Sequence, residues 1–425
     1  MAQVQVIDAI CGSGKTTWMF KHIKENSTKK WIFVSPYLDE AGDGRTKGRI
    51  QEELPEMHFF SPAAKPTKKA DFLWYINKGK NVAITHKLFT DFTPDIALAI
   101  EKQGYELVID ETIDLVSFYE DINGDDVKLL IKAGMVLVGN KGKLDWNAAE
   151  WPKYSGRDVD IKNLCELGCL YLYGDDVLIQ RIPPTCMQAC NSVTVLTYLF
   201  EGSLMQAWMK LNNIEYKYCY PDALKAPSTI KNIIKQKLDI VEPSKTILDL
   251  QVTDRGEYIH TAFSKGWYDK APAITLNAVK KSIEKSLKDK RLEGETFWTT
   301  FKDYKEIMQG KGYTRRKKIK GLTELRDPFV PKNMRASNEY KDCVYCIYTV
   351  NVYPHGSIDS HLRSFGIELN KDKYALSELI QFMFRGCIRE GNEMQILVLS
   401  NRMRKLLTNW LNSDEDLVQV PVESF

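Results

Sequence analysis

Apolar residues along the first half of the chain come in short runs, and each run stops on polar residues. Val4-Gln5-Val6-Ile7 is the first. Lys30 to Ser35 stops at Pro36, Asn81 to Thr85 at His86, Glu106 to Ile109 at Asp110-Glu111, and Val193 to Leu196 at Thr197-Tyr198. Continuous β-branched runs of this kind predict strands covered on both faces. Helical spacing fills the gaps between them. The first half therefore reads as a parallel sheet flanked by helices, with polar strand ends gathered along one edge. After Gly202 the pattern restarts. Leu204 to Leu211 predicts a helix, Ala278 to Lys288 a charged amphipathic helix, and Thr296 to Phe301 a strand. Tyr304 to Met308 predicts a helix, Val344 to Val350 a strand, Leu376 to Ile388 a helix, and Gln395 to Leu399 a strand. This is a second α/β lobe, so the expected division is 1–202 and 203–425. Residues 120–190 and 212–275 exceed two minimal lobes and read as insertions. Their aromatics Trp146, Trp151, Tyr154 and Trp267 are expected to pack rather than to stack on bases.

A chain of 425 residues exceeds one ordinary core, in keeping with two lobes. Its 44% hydrophobic and 27% charged content is that of a soluble globular protein. The net charge of +3 is too small for a global field, so any nucleic-acid binding must come from local basic patches. No apolar run reaches membrane-spanning length, and a strand at the N-terminus leaves no room for a signal peptide. The expectation is a cytoplasmic protein without a membrane partner, in the host cytoplasm if viral. Nine scattered cysteines suggest reduced thiols. Cys165/Cys169 and Cys186/Cys190 form two C-x3-C units, and Cys343/Cys346 a C-x-x-C inside an alternating strand-like run. Small buried hydrophobes are expected there rather than zinc ligands.

Three stretches carry chemistry. Residues 9–16 read Ala-Ile-Cys-Gly-Ser-Gly-Lys-Thr between the first strand and a helix expected over Thr16 to Glu25. Strand, glycine turn and a helix opening on Lys-Thr form a phosphate-binding loop. Gly12, Ser13, Gly14, Lys15, Thr16 and Thr17 are expected to hold the phosphates of ATP. Lys15, read as an exposed loop cation, reaches the β- and γ-phosphates, and the Thr16 hydroxyl faces Mg2+. The second stretch is the strand end Asp110-Glu111, with Asp110 expected on Mg2+ and Glu111 as the base that accepts a proton from water. In the third, Gln381, Arg385 and Arg389 recur every four residues, with Glu378 nearby. They are expected on one helical face, aiming guanidiniums at the cleft to stabilise charge during phosphoryl transfer. Separately, Lys311, Arg315, Arg316, Lys317, Lys318 and Lys320 crowd a segment with Tyr313. A mobile basic loop of this kind would grip strand phosphates without reading sequence.

On these motifs the chain resembles the superfamily 2 helicases and translocases of the DEAD/DEAH-like group, in a viral or phage version. Ala-x-x-Gly-x-Gly-Lys-Thr is the helicase form of the loop. Asp110-Glu111-Thr112-Ile113 resembles motif II and Gln381 to Arg389 resembles motif VI. Ser35-Pro36-Tyr37, Leu196-Thr197-Tyr198 and Trp298 to Phe301 are similar to the looser motifs Ia, III and IV, and Thr85-His86 resembles the strand-end motif that follows Ia. The resemblance implies two RecA-like P-loop NTPase lobes plus insertions, closing on ATP and Mg2+ and moving along single-stranded or duplex nucleic acid. It implies DNA slightly over RNA, and replication or packaging partners. In the family the second arginine of motif VI follows the glutamine by seven residues; here Arg389 follows by eight, and Phe384 replaces a glycine. Arg389 is favoured over Arg385 as the arginine finger. The chain starts too close to Ala9 for an upstream glutamine motif, so slack base selectivity is expected. A terminase-type packaging ATPase is the first alternative, but it would bring clustered nuclease carboxylates after the ATPase. A P-loop nucleotide kinase would not need the second lobe. A non-motor protein with a degenerate ATPase would not need Lys15, Thr16, Asp110 and Glu111 together.

Overall fold

The computed structural model describes residues 2–413 except Tyr37, 44–45, Lys65, 289–291, 293–294, 319–324 and 332–337. The first sheet is built from β1 (Gln3–Asp8), β2 (Lys30–Ser35), β3 (Val82–Thr85) and β4 (Tyr105–Asp110). The chain then forms a small inserted unit from β5 (Val116–Phe118), a hairpin of β6 (Val136–Val138) and β7 (Leu144–Trp146), and β8 (Leu170–Tyr173) with β9 (Val177–Arg181). It returns through β10 (Ser192–Thr197) and β11 (Tyr216–Tyr218). The sheet order is β11-β1-β10-β4-β2-β3, with every ladder parallel. Every residue of β4 is buried, as its unbroken apolar run requires.

The second sheet takes β12 (Leu238–Val241), β13 (Thr296–Thr299), β16 (Tyr345–Tyr348) and β17 (Met394–Val398), in the order β12-β17-β16-β13, again parallel. Between β13 and β16 in sequence, β14 (Lys317–Lys318) pairs antiparallel with β15 (Leu325–Arg326). The expected α/β class with two parallel sheets is therefore observed.

The sheets divide the chain later than 202/203. The helix Leu204–Leu211 buries Leu204, Met205 and Trp208 in the core of the first sheet, and β11 pairs with β1. Inside the expected 212–275 insertion, β12 is an integral edge strand, with Ile240 in register with Ile396. The inserted unit runs from β5 to β9, against the expected 120–190, and its own core holds Val127, Leu144, Trp146, Leu170 and Leu178. There the Trp146 and Tyr154 rings pack at 5.1 Å, and in the second lobe Trp267 packs on Phe263 at 4.7 Å. Trp151 is 38% exposed, but its carbonyl accepts from Trp146 Nε1 at 3.0 Å. Cys165, Cys169, Cys186, Cys190, Cys343 and Cys346 are free and buried.

One segment of the second half reaches back to the first. The helix Gly356–Ser364 places Ile358 and Leu362 in the first lobe's core. Beside it the Arg181 guanidinium lies over the rings of Tyr171 (4.0 Å) and Phe365 (3.9 Å) and donates to His361 Nε2 at 2.9 and 3.1 Å. Burial and the Arg181 charge lower His361 to about 4, which keeps the ring neutral as an acceptor. Among the described residues no helix is long and apolar enough to cross a membrane.

Candidate active site

Parallel ladders bring the C-terminal ends of β1, β10 and β4 to one edge of the first sheet. Asp8 is level with Thr197, and Leu196 with Asp110. The chain leaving β1 turns tightly through Gly12 (φ 82°) and Gly14 (φ 95°), left-handed conformations that glycine alone adopts freely. Gly14 then caps the helix Lys15–Glu25 without any side-chain hydrogen bond, leaving the first amides of that helix uncapped. A Cβ on Gly14 would meet nothing within 4 Å, so the space over these amides is open. The N-terminal helix dipole adds to the attraction for an anion. Ser13 Oγ is buried here and has no partner among the described residues.

β1 and β4 are separated by β10, two strand spacings of about 4.8 Å. The gap is bridged by side chains: the Thr16 hydroxyl donates to Asp110 Oδ2 at 3.3 Å. Burial raises Asp110 to about 7, assisted by the neighbouring charges of Glu111 and Glu40 and opposed by Lys15 and Thr16. Glu111 sits in the left-handed region (φ 63°), strained for a residue with a side chain, while its amide donates to Leu196 O at 2.8 Å. Its Oε2 is buried and accepts no hydrogen bond from a described residue. His86 contacts Asp110 O at 2.8 Å through Nε2.

Lys15 departs from the exposed cation expected. Its side chain is buried and folds back onto its own loop, donating to Ala9 O at 2.5 Å and Ile10 O at 3.4 Å. In the open loop those carbonyls are the nearest acceptors for the ammonium.

The third stretch also differs. The helix Lys371–Met383 ends before Arg385, so Gln381, Arg385 and Arg389 do not share one helical face. Gly386 explains the break. A Cβ there would fall 2.5 Å from Met394 Sδ and 2.9 Å from Phe297 Cε1, and the backbone is extended (φ −79°, ψ −176°) before a 3-10 turn over Cys387–Glu390. Arg385 is consequently buried, its guanidinium 5.0 Å from the Phe382 ring centre. Arg389 is exposed and, with Gln381 and Phe384, lines the cavity over the loop.

That cavity has a volume of ≈ 300 Å³ and is lined by Cys11 to Thr17, Asp110 and Glu111 from the first lobe and by the three residues just named from the second. Two further residues have no counterpart in the sequence motifs. Glu40 and Arg49 also line it. Arg49 pairs with Glu40 at 3.6 Å and Glu53 at 2.5 Å and reaches Thr17 Oγ1 at 3.4 Å. Burial raises Glu40, and Arg49 and Arg389 oppose that rise. No local pattern marks these two; only the path of the chain after β2 brings them in. Asp8 was also missed, although it ends β1 as Asp110 ends β4. It accepts from the amides of Leu199 (2.7 Å) and Phe200 (3.0 Å), and burial pushes it up to about 6.

The basic segment does not line the cavity. Lys311, Arg315, Arg316, Lys317 and Lys318 are exposed, Arg316 pairs with Asp327 at 3.4 Å, and Lys317–Lys318 form a ladder strand rather than irregular loop. Tyr313 is buried edge-on against Trp298 at 5.2 Å. Lys320 and Tyr37 lie outside the described residues.

The residues around Thr16 and Asp110 suit a magnesium ion: one hydroxyl and one carboxylate converge, and this hard cation is usually completed by water and phosphate oxygens. Among the described residues no cluster of three or more His, Cys, Asp or Glu could hold a metal without such help.

Comparison with known proteins gives a family. A model described as the YonV C-terminal Rossmann-like domain matches residues 233–411, and one described as the YonV middle domain matches 117–180, the span of the inserted unit. Among solved structures, that of S. tokodaii Xpd4 is similar at 12% identity and TM-score 0.42, covering 97% of this chain and 95% of that one. The DUF1998 helicase MrfA, bound to DNA and AMPPNP, is similar at 11% identity and TM-score 0.32, covering 97% of this chain and 48% of that one. Likenesses this distant carry no argument about the site. The SPbeta prophage-derived uncharacterized protein YonV of Bacillus subtilis (strain 168) is 31% identical over 431 residues, covering 97% of this chain and all of that protein. An identity of this level along nearly the whole length makes the chain a member of the YonV family.

Proposed function

We propose that the protein is a phage-type ATPase that couples ATP hydrolysis to movement along nucleic acid, as a helicase or translocase. The observation that carries this reading is the pairing of Thr16 with Asp110 at the mouth of an uncapped helix, with Arg389 of the second lobe on the same cavity. A nucleotide kinase would bring such a cation from a lid on one P-loop lobe, not from a second α/β lobe with its own parallel sheet.

In this reading the amides of Gly12 to Thr17 surround the phosphates, and Lys15 leaves Ala9 O and Ile10 O for the β- and γ-oxygens. Thr16 and Asp110 would hold Mg2+, which would supply positive charge against the phosphate oxygens. Water attacks the γ-phosphorus, the bond to the β-bridging oxygen breaks, and Glu111 accepts the water's proton. The left-handed backbone of Glu111 aims its carboxylate into the cavity, where Oε2 has no competing partner. Arg389 stabilises the charge that develops in the transition state. Gln381 lies beside it as the polar link between cavity and helix. The exposed cations from Lys311 to Lys318 give the second lobe a phosphate-binding face. The track is single-stranded or duplex nucleic acid, with DNA slightly favoured over RNA.

The test is ATP hydrolysis by the purified protein alone, then with single-stranded DNA, duplex DNA and RNA. Stimulation by a nucleic acid is expected. Glu111→Gln should keep nucleotide binding and lose turnover, because an amide cannot take the proton. Absence of hydrolysis under all four conditions would refute the reading.

A further inference from the structure

A second cavity, of ≈ 310 Å³, lies at the edge of the first sheet outside β3, where Phe60 pairs with Val82. Its size falls at the lower end of small-ligand pockets. One wall is aromatic: the Phe60 and Tyr75 rings stack with centres 4.9 Å apart and planes 23° from parallel. Beside the wall, Trp74 meets Tyr75 edge-on at 5.1 Å and is 53% exposed. Gln51 and Ser61, on the floor, satisfy each other and Ala41 O. By contrast, the Tyr75 hydroxyl, the His58 ring and the Lys47 ammonium make no hydrogen bond to a described residue.

Cations frame the aromatics. Lys78 Nζ is 6.0 Å from the Trp74 ring and Lys80 Nζ 6.0 Å from the Phe60 ring. Lys47, Lys78 and Lys80 form no ion pair with a described residue, whereas nearby carboxylates are occupied. Glu56 pairs with Lys24 at 2.7 Å, Glu53 with Arg49, and Asp71 accepts from Ala63 N at 2.7 Å. Ring faces beside uncompensated lysines complement a strand that carries both bases and phosphates.

Resting on the nucleic-acid reading above, we propose that this cavity receives one base of a bound single strand, stacked in the Phe60–Tyr75 wall, with Lys47, Lys78 and Lys80 on the adjacent phosphates. The site is separate from the nucleotide cavity yet tied to it. The five-residue helix Arg49–Glu53 presents Arg49 to the nucleotide cavity and Gln51 to this one.

The test is fluorescence anisotropy with two labelled oligonucleotides of equal length, one of deoxythymidine and one abasic. Tyr75→Ala should weaken binding of the deoxythymidine strand roughly 5- to 150-fold, the usual cost of a lost base–aromatic stack. It should leave the abasic strand unaffected, and Tyr75→Phe should restore the difference. Lys47→Ala should weaken both strands. A 4-thiothymidine strand should form its photo-adduct on residues 58–75. Equal losses for both strands in Tyr75→Ala, or no loss, would overturn the pocket. If the unaltered protein binds the strands but cross-links elsewhere, only the pocket falls. If it binds neither strand, the pocket and the nucleic-acid reading fall together.

Discussion

Replacing Lys15 tests two properties of one side chain, because its charge also has a structural use. Its ammonium holds Ala9 O and Ile10 O in a buried position. A hydrogen bond to a charged group contributes about 1.5–3 kcal/mol. Two carbonyls lose their donor in Lys15→Ala, but the adjoining ≈ 300 Å³ cavity admits water to them, and a buried charge is removed. The net destabilisation should be about 1–3 kcal/mol. At roughly 2–4 °C per kcal/mol for a unit of this size, the midpoint should fall by about 2–12 °C. Lys15→Met keeps the stem and should recover part of that loss. Neither variant restores the charge on the phosphates, so both should lose about a hundredfold or more in turnover. Differential scanning fluorimetry and a coupled ATPase assay read the two effects. Turnover within about tenfold of the unaltered protein would remove Lys15 from phosphate binding. An unchanged midpoint in Lys15→Ala would show that the carbonyl contacts do not stabilise the loop.

The two arginines should separate by the same pair of assays. Arg389→Ala, at an exposed position, should cut turnover about a thousandfold with the midpoint retained, whereas Arg385→Ala should cost about 2 kcal/mol or more of stability; the reverse pattern would exchange their roles. Asp8, held near 6 against an ordinary 3.8, favours the protonated folded state, so its contribution to stability falls as pH rises from about 4 to about 6 and is level above. In chemical denaturation the unaltered protein should lose about 3 kcal/mol relative to Asp8→Asn between those limits, and a parallel pH dependence of the two would contradict this. Neutralising Lys311, Arg315, Arg316, Lys317 and Lys318 should lower the slope of log affinity against log salt by about 0.7–0.9 per lost phosphate contact, and an unaltered slope would leave these residues as solvated surface.

Strands of the first sheet were legible because parallel strands buried on both faces must be written as unbroken apolar runs. Val4 to Ile7, Lys30 to Ser35 and Glu106 to Ile109 fall inside or on β1, β2 and β4. Thr16 and Asp110 were legible for a related reason: each closes a strand–loop unit whose residue types are dictated locally. Helical periodicity over Leu376 to Ile388 misled because it counts spacing and not space. The contacts of Gly386 with Met394 and Phe297 are tertiary, and they end the helix five residues early. β12 escaped notice because its run of four residues is short, is interrupted by Asp239, and follows the helix Pro227–Lys237 with no turn residue between. Glu40 and Arg49 carry no signature because a carboxylate and a guanidinium on short surface helices are ordinary until the chain path brings them over Thr17.

The helix Gly356–Ser364 has a mechanical consequence. The polypeptide leaves the first lobe only after Lys225, comes back to it before Gly356, and departs again after Leu369, whose side chain joins the first core. Two bodies stitched by repeated passages can turn only about an axis that passes near every crossing, or slide their packed helices past one another, so free twisting is removed. Arg181, clamped between Tyr171, Phe365 and His361, sits where that sliding would be resisted. The same stitching means the second lobe is not a detachable part. Cut out as residues 233–411, it would carry Ile358, Leu362 and Leu369 into water without the first lobe's core to cover them, and it would be expected to aggregate more readily than the intact chain.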